Sequence, residues 1–281
     1  MPLKKETQEL IKKYALSPNK LLGQNFLVDR LALAKIISAA ELSKDDTVLE
    51  VGPGLGILTR ELAKNAGRVV AVEKDKQLAA IMQNILQEEK INNVEIIAGD
   101  ILKFSMLFND KKNNYKFVAN IPYYLTSHLI RVFLESDNPP SLMVLMLQKE
   151  VAQRICAQPP KMSLLAAATQ FYADVKNIAV IPKKSFWPMP KVDSAIIKII
   201  PNNHANAQID SNDINKFFKL LHAGFSQPRK QLANNLHQVL KTDRTEIEKI
   251  LGELGFKNSV RAQELAVGDW SKLTAYLKNE L

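Results

Sequence analysis

Cysteine is almost absent from this chain. A single Cys156 rules out an intramolecular disulfide and fits a reducing compartment. No nucleophile motif surrounds it, so it reads as a packing residue. Histidine is nearly as scarce. His128, His204, His222 and His237 lack the spacing of metal ligands, and no metal is expected. No apolar run approaches the roughly 20 residues of a membrane-spanning helix. The N-terminal Met1-Pro2-Leu3-Lys4-Lys5-Glu6 is polar and does not read as a leader. Internal repeats and low-complexity tracts are missing too. These absences exclude disulfide scaffolds, metal enzymes, membrane spans and solenoids, and predict a cytoplasmic protein that meets no membrane.

The remaining composition is that of a folded protein. A hydrophobic fraction of 46% supports a full core, and 24% charged residues argue against disorder. With 281 residues, one large domain plus a small one is the default expectation. The net charge of +9 leans toward a polyanionic partner, although charge alone is a weak sign.

Strand and helix patterns alternate through the first part of the chain. Short apolar, β-branched runs at 47–51, 68–73, 94–98, 117–120 and 142–148 read as strands, and residues 57–64 and 77–86 read as helices. This alternation predicts an α/β fold with a doubly wound, Rossmann-like parallel sheet. Residues 171–180 and 194–200 read as two further strands with a Pro-rich loop between them, an antiparallel hairpin at the sheet edge. Residues 202–208 are polar and unpatterned, as a linker is. Beyond them lie short amphipathic helices at 214–222, 230–240, 245–254 and 271–277, which predict a small all-α C-terminal domain. The domains are placed at 1–204 and 205–281, with 1–28 as a distinct N-terminal segment. That segment is mostly polar over 1–24 and is expected to be mobile without a ligand.

Asn120-Ile121-Pro122-Tyr123 is the most informative stretch. It follows a strand, so it presents an amide, a backbone carbonyl and an aromatic ring at a strand's C-terminal end, where open α/β sheets bind ligands. This trio suits methylation of an exocyclic amine on a nucleobase. Such an amine is a poor nucleophile because its lone pair is delocalised into the ring. Asn120 Oδ1 and the Ile121 carbonyl can each accept one amine N–H bond, favouring a pyramidal nitrogen and stabilising the growing positive charge. Tyr123 can stack on a flipped base, and Pro122 fixes the backbone between them.

A cofactor pocket is written nearby. Gly52-Pro53-Gly54-Leu55-Gly56 follows the first strand, and its glycines let backbone approach a ligand closely. The spacing is not that of the dinucleotide G-x-G-x-x-G. Glu50 stands before the loop, where a carboxylate can bind an amino-acid ammonium. Glu73 ends the second strand, where an acid can bind ribose hydroxyls, and Asp100 ends the third, placed to accept from an adenine amine. An amino acid, a ribose and an adenine are the parts of S-adenosylmethionine. A nicotinamide dinucleotide would need a second half-fold, so a dehydrogenase is the weaker reading.

Taken together, these segments resemble the bacterial small-subunit (16S) ribosomal RNA adenine N6,N6-dimethyltransferases, over nearly the whole chain. Leu22-Gly23-Gln24-Asn25-Phe26-Leu27-Val28-Asp29 is similar to that family's N-terminal motif, and Phe186-Trp187-Pro188-Met189-Pro190-Lys191-Val192-Asp193-Ser194 to its F-x-P-x-P-x-V-D-S signature. The Glu50–Gly56, Val72–Asp75, Gly99-Asp100 and Asn120–Tyr123 segments follow in the family's order. The resemblance implies a class I S-adenosylmethionine-dependent methyltransferase sheet. It implies that Asn25, Leu27, Gly52 and Gly54 touch the cofactor, with Glu73 on its ribose and Asp100 at its adenine. Asn120 would face both cofactor and target amine, and Tyr123 and Phe186 would sandwich the flipped adenine. The implied substrate is a pair of adjacent adenosines in a hairpin near the 3′ end of 16S rRNA, dimethylated within an immature small subunit by a monomeric enzyme. Asp193 is expected to pin its loop to the edge strand. Arg229 and Lys230 are the RNA-binding candidates, in a segment where Pro228 replaces a usual arginine. The rivals are the related large-subunit rRNA methyltransferases of macrolide resistance and a ribosome-assembly factor whose catalysis is secondary.

Overall fold

The computed structural model describes residues 3–18, 24–104, 114–122, 125–202, 209–210 and 213–277. Tyr123 and the linker 203–208 lie outside the described residues. The chain divides into two compact units: Met1–Ala152 with Lys176–Pro201, and Gln153–Val175 with Asn202–Leu281.

The first unit is built on β2 (Thr47–Val51), β3 (Arg68–Glu73), β4 (Val94–Ala98), β5 (Tyr115–Asn120) and β6 (Leu142–Gln148). These strands pair in parallel, β4-β3-β2-β5-β6. Helices α2 (Arg30–Ala40), α3 (Ile57–Asn65), α4 (Lys76–Glu88) and α6 (Thr126–Leu134) provide the connecting layers. From Leu142 to Leu147 every side chain of β6 is buried, as a strand covered on both faces must be. Each fully buried apolar side chain of this kind contributes roughly 1.5–3 kcal/mol. Beyond β6 come β9 (Ser194–Pro201), antiparallel to it, and β7 (Ala173–Ile181) at the edge. The chain steps outward from β2 to β3 and β4, then returns to lay β5 on β2's other side. The strand order therefore reverses between β2 and β5, and the crevice at their carboxyl ends is where such a sheet binds ligands.

Leu3–Lys13 forms helix α1, an element the sequence reading did not assign. Leu10 and Ile11 pack against the cluster of Phe26, Leu55, Leu78, Ile81 and Ile85, and Arg60 on α3 pairs with both Glu6 and Glu89. The amphipathic stripe of α1, diluted by charged neighbours, is what the composition reading passed over.

The second unit packs α8 (Leu164–Tyr172), α9 (Ile214–Gly224), α10 (Leu232–Leu240), α11 (Arg244–Glu253) and α12 (Val267–Leu277) around the fully buried Trp270. Gln153–Val175 belongs to this unit, although the sequence pattern groups it with the first. Phe171 and Tyr172 close helix α8; they do not begin the strand predicted at 171–180. Ser163 caps that helix by accepting from Ala166 N–H, and Phe171 stacks on Phe217 with ring centroids 4.2 Å apart.

Candidate active site

The glycine turn after β2 forms the floor of a cleft. Gly52 and Gly54 take φ of +66° and +57°, a left-handed backbone that strains any side chain. A Cβ on Gly54 would also stand 3.2 Å from the Phe26 ring. Glu73, at the end of β3, ties the turn down. Its Oε2 accepts the Gly54 N–H at 3.1 Å and its Oε1 accepts the Asp75 N–H at 2.9 Å. Burial pushes the Glu73 carboxyl above its ordinary range, and those two backbone donors recover part of the shift. Each of its oxygens keeps lone-pair capacity for a further donor.

Glu50 contrasts with this. It is buried within β2, and its Oε2 has no hydrogen-bond partner. Burial pushes its carboxyl up to about 8; the Thr59 side chain nearby draws it partly back, and the Glu73 charge adds to it. Asp100 is ionised more readily than usual, because Lys74 Nζ lies 3.0 Å from its Oδ2. Its Oδ1 accepts the Leu102 N–H at 3.1 Å.

Two distant segments complete the cleft. Two-residue strands β1 (Phe26–Leu27) and β8 (Phe186–Trp187) pair antiparallel, Phe26 opposite Trp187 and Leu27 opposite Phe186. Val28 N–H donates to the Ser185 carbonyl at 2.8 Å, and Ser185 Oγ donates to Asp29 Oδ2 at 2.6 Å. The other oxygen of Asp29 caps α2 through Leu31 N–H at 2.9 Å. Gln24 Nε2 reaches Asp75 Oδ2 at 3.0 Å, which links the N-terminal motif to the turn between β3 and α4. Asp193 holds the far end of the Phe186 loop by accepting from Lys183 N–H at 3.0 Å.

Asn120 ends β5 half-buried, and Ile121 N–H donates to the Met146 carbonyl at 3.0 Å, which sets the backbone that follows. The cleft thus gathers Asn120, Ile121 and Phe186 with Glu50, Glu73 and Asp100. Asn25, Leu27, Gly52 and Gly54 line it as well. Phe186 is 3% exposed, so the face it offers is narrow. Arg229 and Lys230 are exposed in the turn between α9 and α10 of the second unit. The sequence reading missed the β1–β8 pairing, whose partners are far apart in the chain and too short for any periodic signal. It also gave no role of their own to Asp75 and Ser185, which stand at the capping position before α4 and beside Phe186.

A family described as Ribosomal RNA adenine dimethylase matches residues 15–279. The chain is 42% identical over 270 residues to the ribosomal RNA small subunit methyltransferase A of Dehalococcoides mccartyi, covering 95% of this chain and 91% of that one. It is 38% identical over 281 residues to the protein of that name from Clostridioides difficile, covering 98% and 96%. The chain belongs to the ribosomal RNA adenine dimethylase family. Two solved structures agree with the fold of a family member. The dimethyladenosine transferase from Plasmodium falciparum superposes with a TM-score of 0.75 at 26% identity, covering 91% of this chain and 98% of that one. The 23S rRNA methyltransferase ErmE does so with 0.73 at 27%, covering 90% and 100%.

Methyltransferases of this fold generally use S-adenosylmethionine. The residues fit that group. An orphaned, buried carboxyl oxygen suits its ammonium, the glycine turn suits close approach, and Glu73 retains acceptors for ribose hydroxyls. Among the described residues no cluster of His, Cys, Asp or Glu is placed to hold a metal, and no helix is long and apolar enough to cross a membrane.

Proposed function

We propose that this rRNA adenine dimethylase uses S-adenosylmethionine to dimethylate N6 of two adjacent adenosines in the 3′-terminal hairpin of 16S rRNA. Its substrate is an immature 30S subunit, and it acts in the cytoplasm, as a monomer, in small-subunit biogenesis. The observation that carries this reading is the meeting of Asn120 and Phe186 with three acids in one cleft at the strand-order reversal. Similarity to small-subunit methyltransferases at 38–42% identity supports the choice of subunit.

When bound, S-adenosylmethionine supplies a methyl group on an electrophilic sulfonium. The chain does the rest by binding and orientation. Glu50 receives the ammonium, Gly52 and Gly54 allow close approach, Glu73 takes the ribose hydroxyls and Asp100 the adenine, while Asn25 and Leu27 close the cleft from the N-terminal side. Asn120 Oδ1 and the Ile121 carbonyl accept from the target amine and stabilise the charge that grows on its nitrogen. Phe186, with Tyr123, holds the flipped base. No strong base is needed, because the amine becomes acidic only after it attacks. Proximity and preorganisation therefore carry most of the rate. A once-methylated amine has a single N–H left, so one acceptor must suffice in the second round. Arg229 and Lys230, in the C-terminal helical part, contact the RNA backbone.

Asn120→Ala tests the assignment. Methyl transfer to small subunits should fall by about 10²–10³-fold, with subunit binding retained in a filter assay. Lost binding together with lost transfer would remove Asn120 from the catalytic role. Unchanged transfer would favour a factor that acts mainly by docking.

A further inference from the structure

Glu50 is unusual among the acids of the cleft. Glu73 is satisfied by two backbone N–H groups and Asp100 by Lys74 and Leu102. Glu50 is 1% exposed, is acted on by no cation among the described residues, and leaves Oε2 without a partner although its residue lines the cleft. A carboxylate so placed carries most of the cost of desolvation, and the inexpensive remedy is a proton.

The surrounding charges do not alter this. On β3 and just beyond it, Glu73 faces the same cleft and opposes a second negative charge, and Lys74 is engaged with Asp100. On α3, Arg60 is held by Glu6 and Glu89. On β5, Lys116 is held by Asp46. On α2, Lys35 acts on Asp29. Thr59, the α3 side chain near Glu50, is neutral: it draws the carboxyl partly back but brings no charge to pair with it.

We propose that Glu50 is a cation-for-proton exchanger: it is neutral in the empty cleft, and it releases its proton to solvent as it takes the ammonium of the cofactor's amino-acid part. This rests on S-adenosylmethionine being the cofactor. The step balances: a carboxylic acid and an ammonium become a carboxylate–ammonium pair and one free proton. The net charge of the buried site is the same before and after, so loading never leaves an unpaired charge in the interior. The exchange also gives selectivity. A ligand with the adenosine part but no ammonium meets a neutral acid and has nothing to displace.

The raised carboxyl of Glu50, at about 8, sets the working range. At about pH 6.5 the α-amino group of the free ligand, with an ordinary value of ~7.7–8.0, is still charged, so it does not confuse the proton count. The test is calorimetric titration of the full chain at that pH in two buffers of different ionisation enthalpy. S-adenosylmethionine should release close to one proton per molecule bound, and its affinity should rise nearly tenfold per pH unit between about pH 5.5 and 6.5. Glu50→Gln should bind with little proton release, and 5′-methylthioadenosine, which lacks the amino acid, should release little from the unaltered chain. Buffer-independent heats with S-adenosylmethionine overturn the proposal while leaving the cofactor in place. Equal release from Glu50→Gln assigns the proton to another group, Glu73 foremost, and overturns it as well. If Glu50→Gln does not fold, the two-ligand comparison on the unaltered chain decides. Failure of S-adenosylmethionine to bind at all overturns the cofactor reading itself, a result distinct from binding without proton release.

Discussion

Glu50 and Glu73 lie in one cleft, yet the backbone satisfies one and not the other. The difference has a consequence for stability. Glu50's folded value is raised above its unfolded one, so its contribution is fully present below about pH 4.5 and is lost as pH rises through about 8. Glu50→Gln removes that loss. Its melting temperature relative to the unaltered, cofactor-free chain should therefore climb between pH 5 and pH 8; a constant difference across that range would mean that Glu50 is not neutral in the fold. Gly54 makes a second test. Alanine there meets both a left-handed φ and the Phe26 ring, so Gly54→Ala should cost about 1–2 kcal/mol in thermal unfolding and weaken cofactor binding. At this scale the sequence was informative, because glycine spacing and acids at strand ends are local features. It could not separate a satisfied acid from an orphaned one, since one of the two donors to Glu73, the Gly54 N–H, comes from a turn after another strand.

Among elements, the strands at 47–51, 68–73, 94–98 and 142–148 lie where their apolar runs predict. Such runs are long enough for periodicity to speak. Phe171 and Tyr172 were misread because aromatic residues favour strands in isolation, whereas here their packing on Phe217 and Phe218 keeps them in a helix. The β1–β8 pair was invisible for the opposite reason: two residues carry no period. Its support is tested through Asp29, which caps α2 and anchors Ser185. Asp29→Ala should lower stability by about 1 kcal/mol through the lost cap, and it should also raise the dissociation constant for the cofactor, because the N-terminal motif loses its side-chain tie to the Phe186 loop and keeps only backbone pairing there. Reduced stability with unchanged cofactor affinity would show that this pairing does not shape the cleft.

For the whole molecule, the order of motifs along the chain made the fold and the family legible, while the grouping of Gln153–Val175 with the C-terminal helices was not. That segment is helical and apolar like its sequence neighbours, and its partners are supplied by residues about fifty to a hundred positions later. The excess positive charge also belongs to this scale. If Arg229 and Lys230 contact phosphates, changing both to alanine should weaken small-subunit binding across sequences and reduce the salt dependence, the slope of log K on log salt, by about 1.5. Transfer to bound substrate should be little changed. An unchanged slope would place the RNA-binding surface elsewhere.

The most direct test of the account is to give the purified protein S-adenosylmethionine and either unmethylated small subunits or naked large-subunit rRNA, and to read the digested nucleosides by mass spectrometry. N6,N6-dimethyladenosine is expected from the small subunits alone. Product from the large-subunit RNA alone, or no product from small subunits that the protein nevertheless binds tightly, would contradict it.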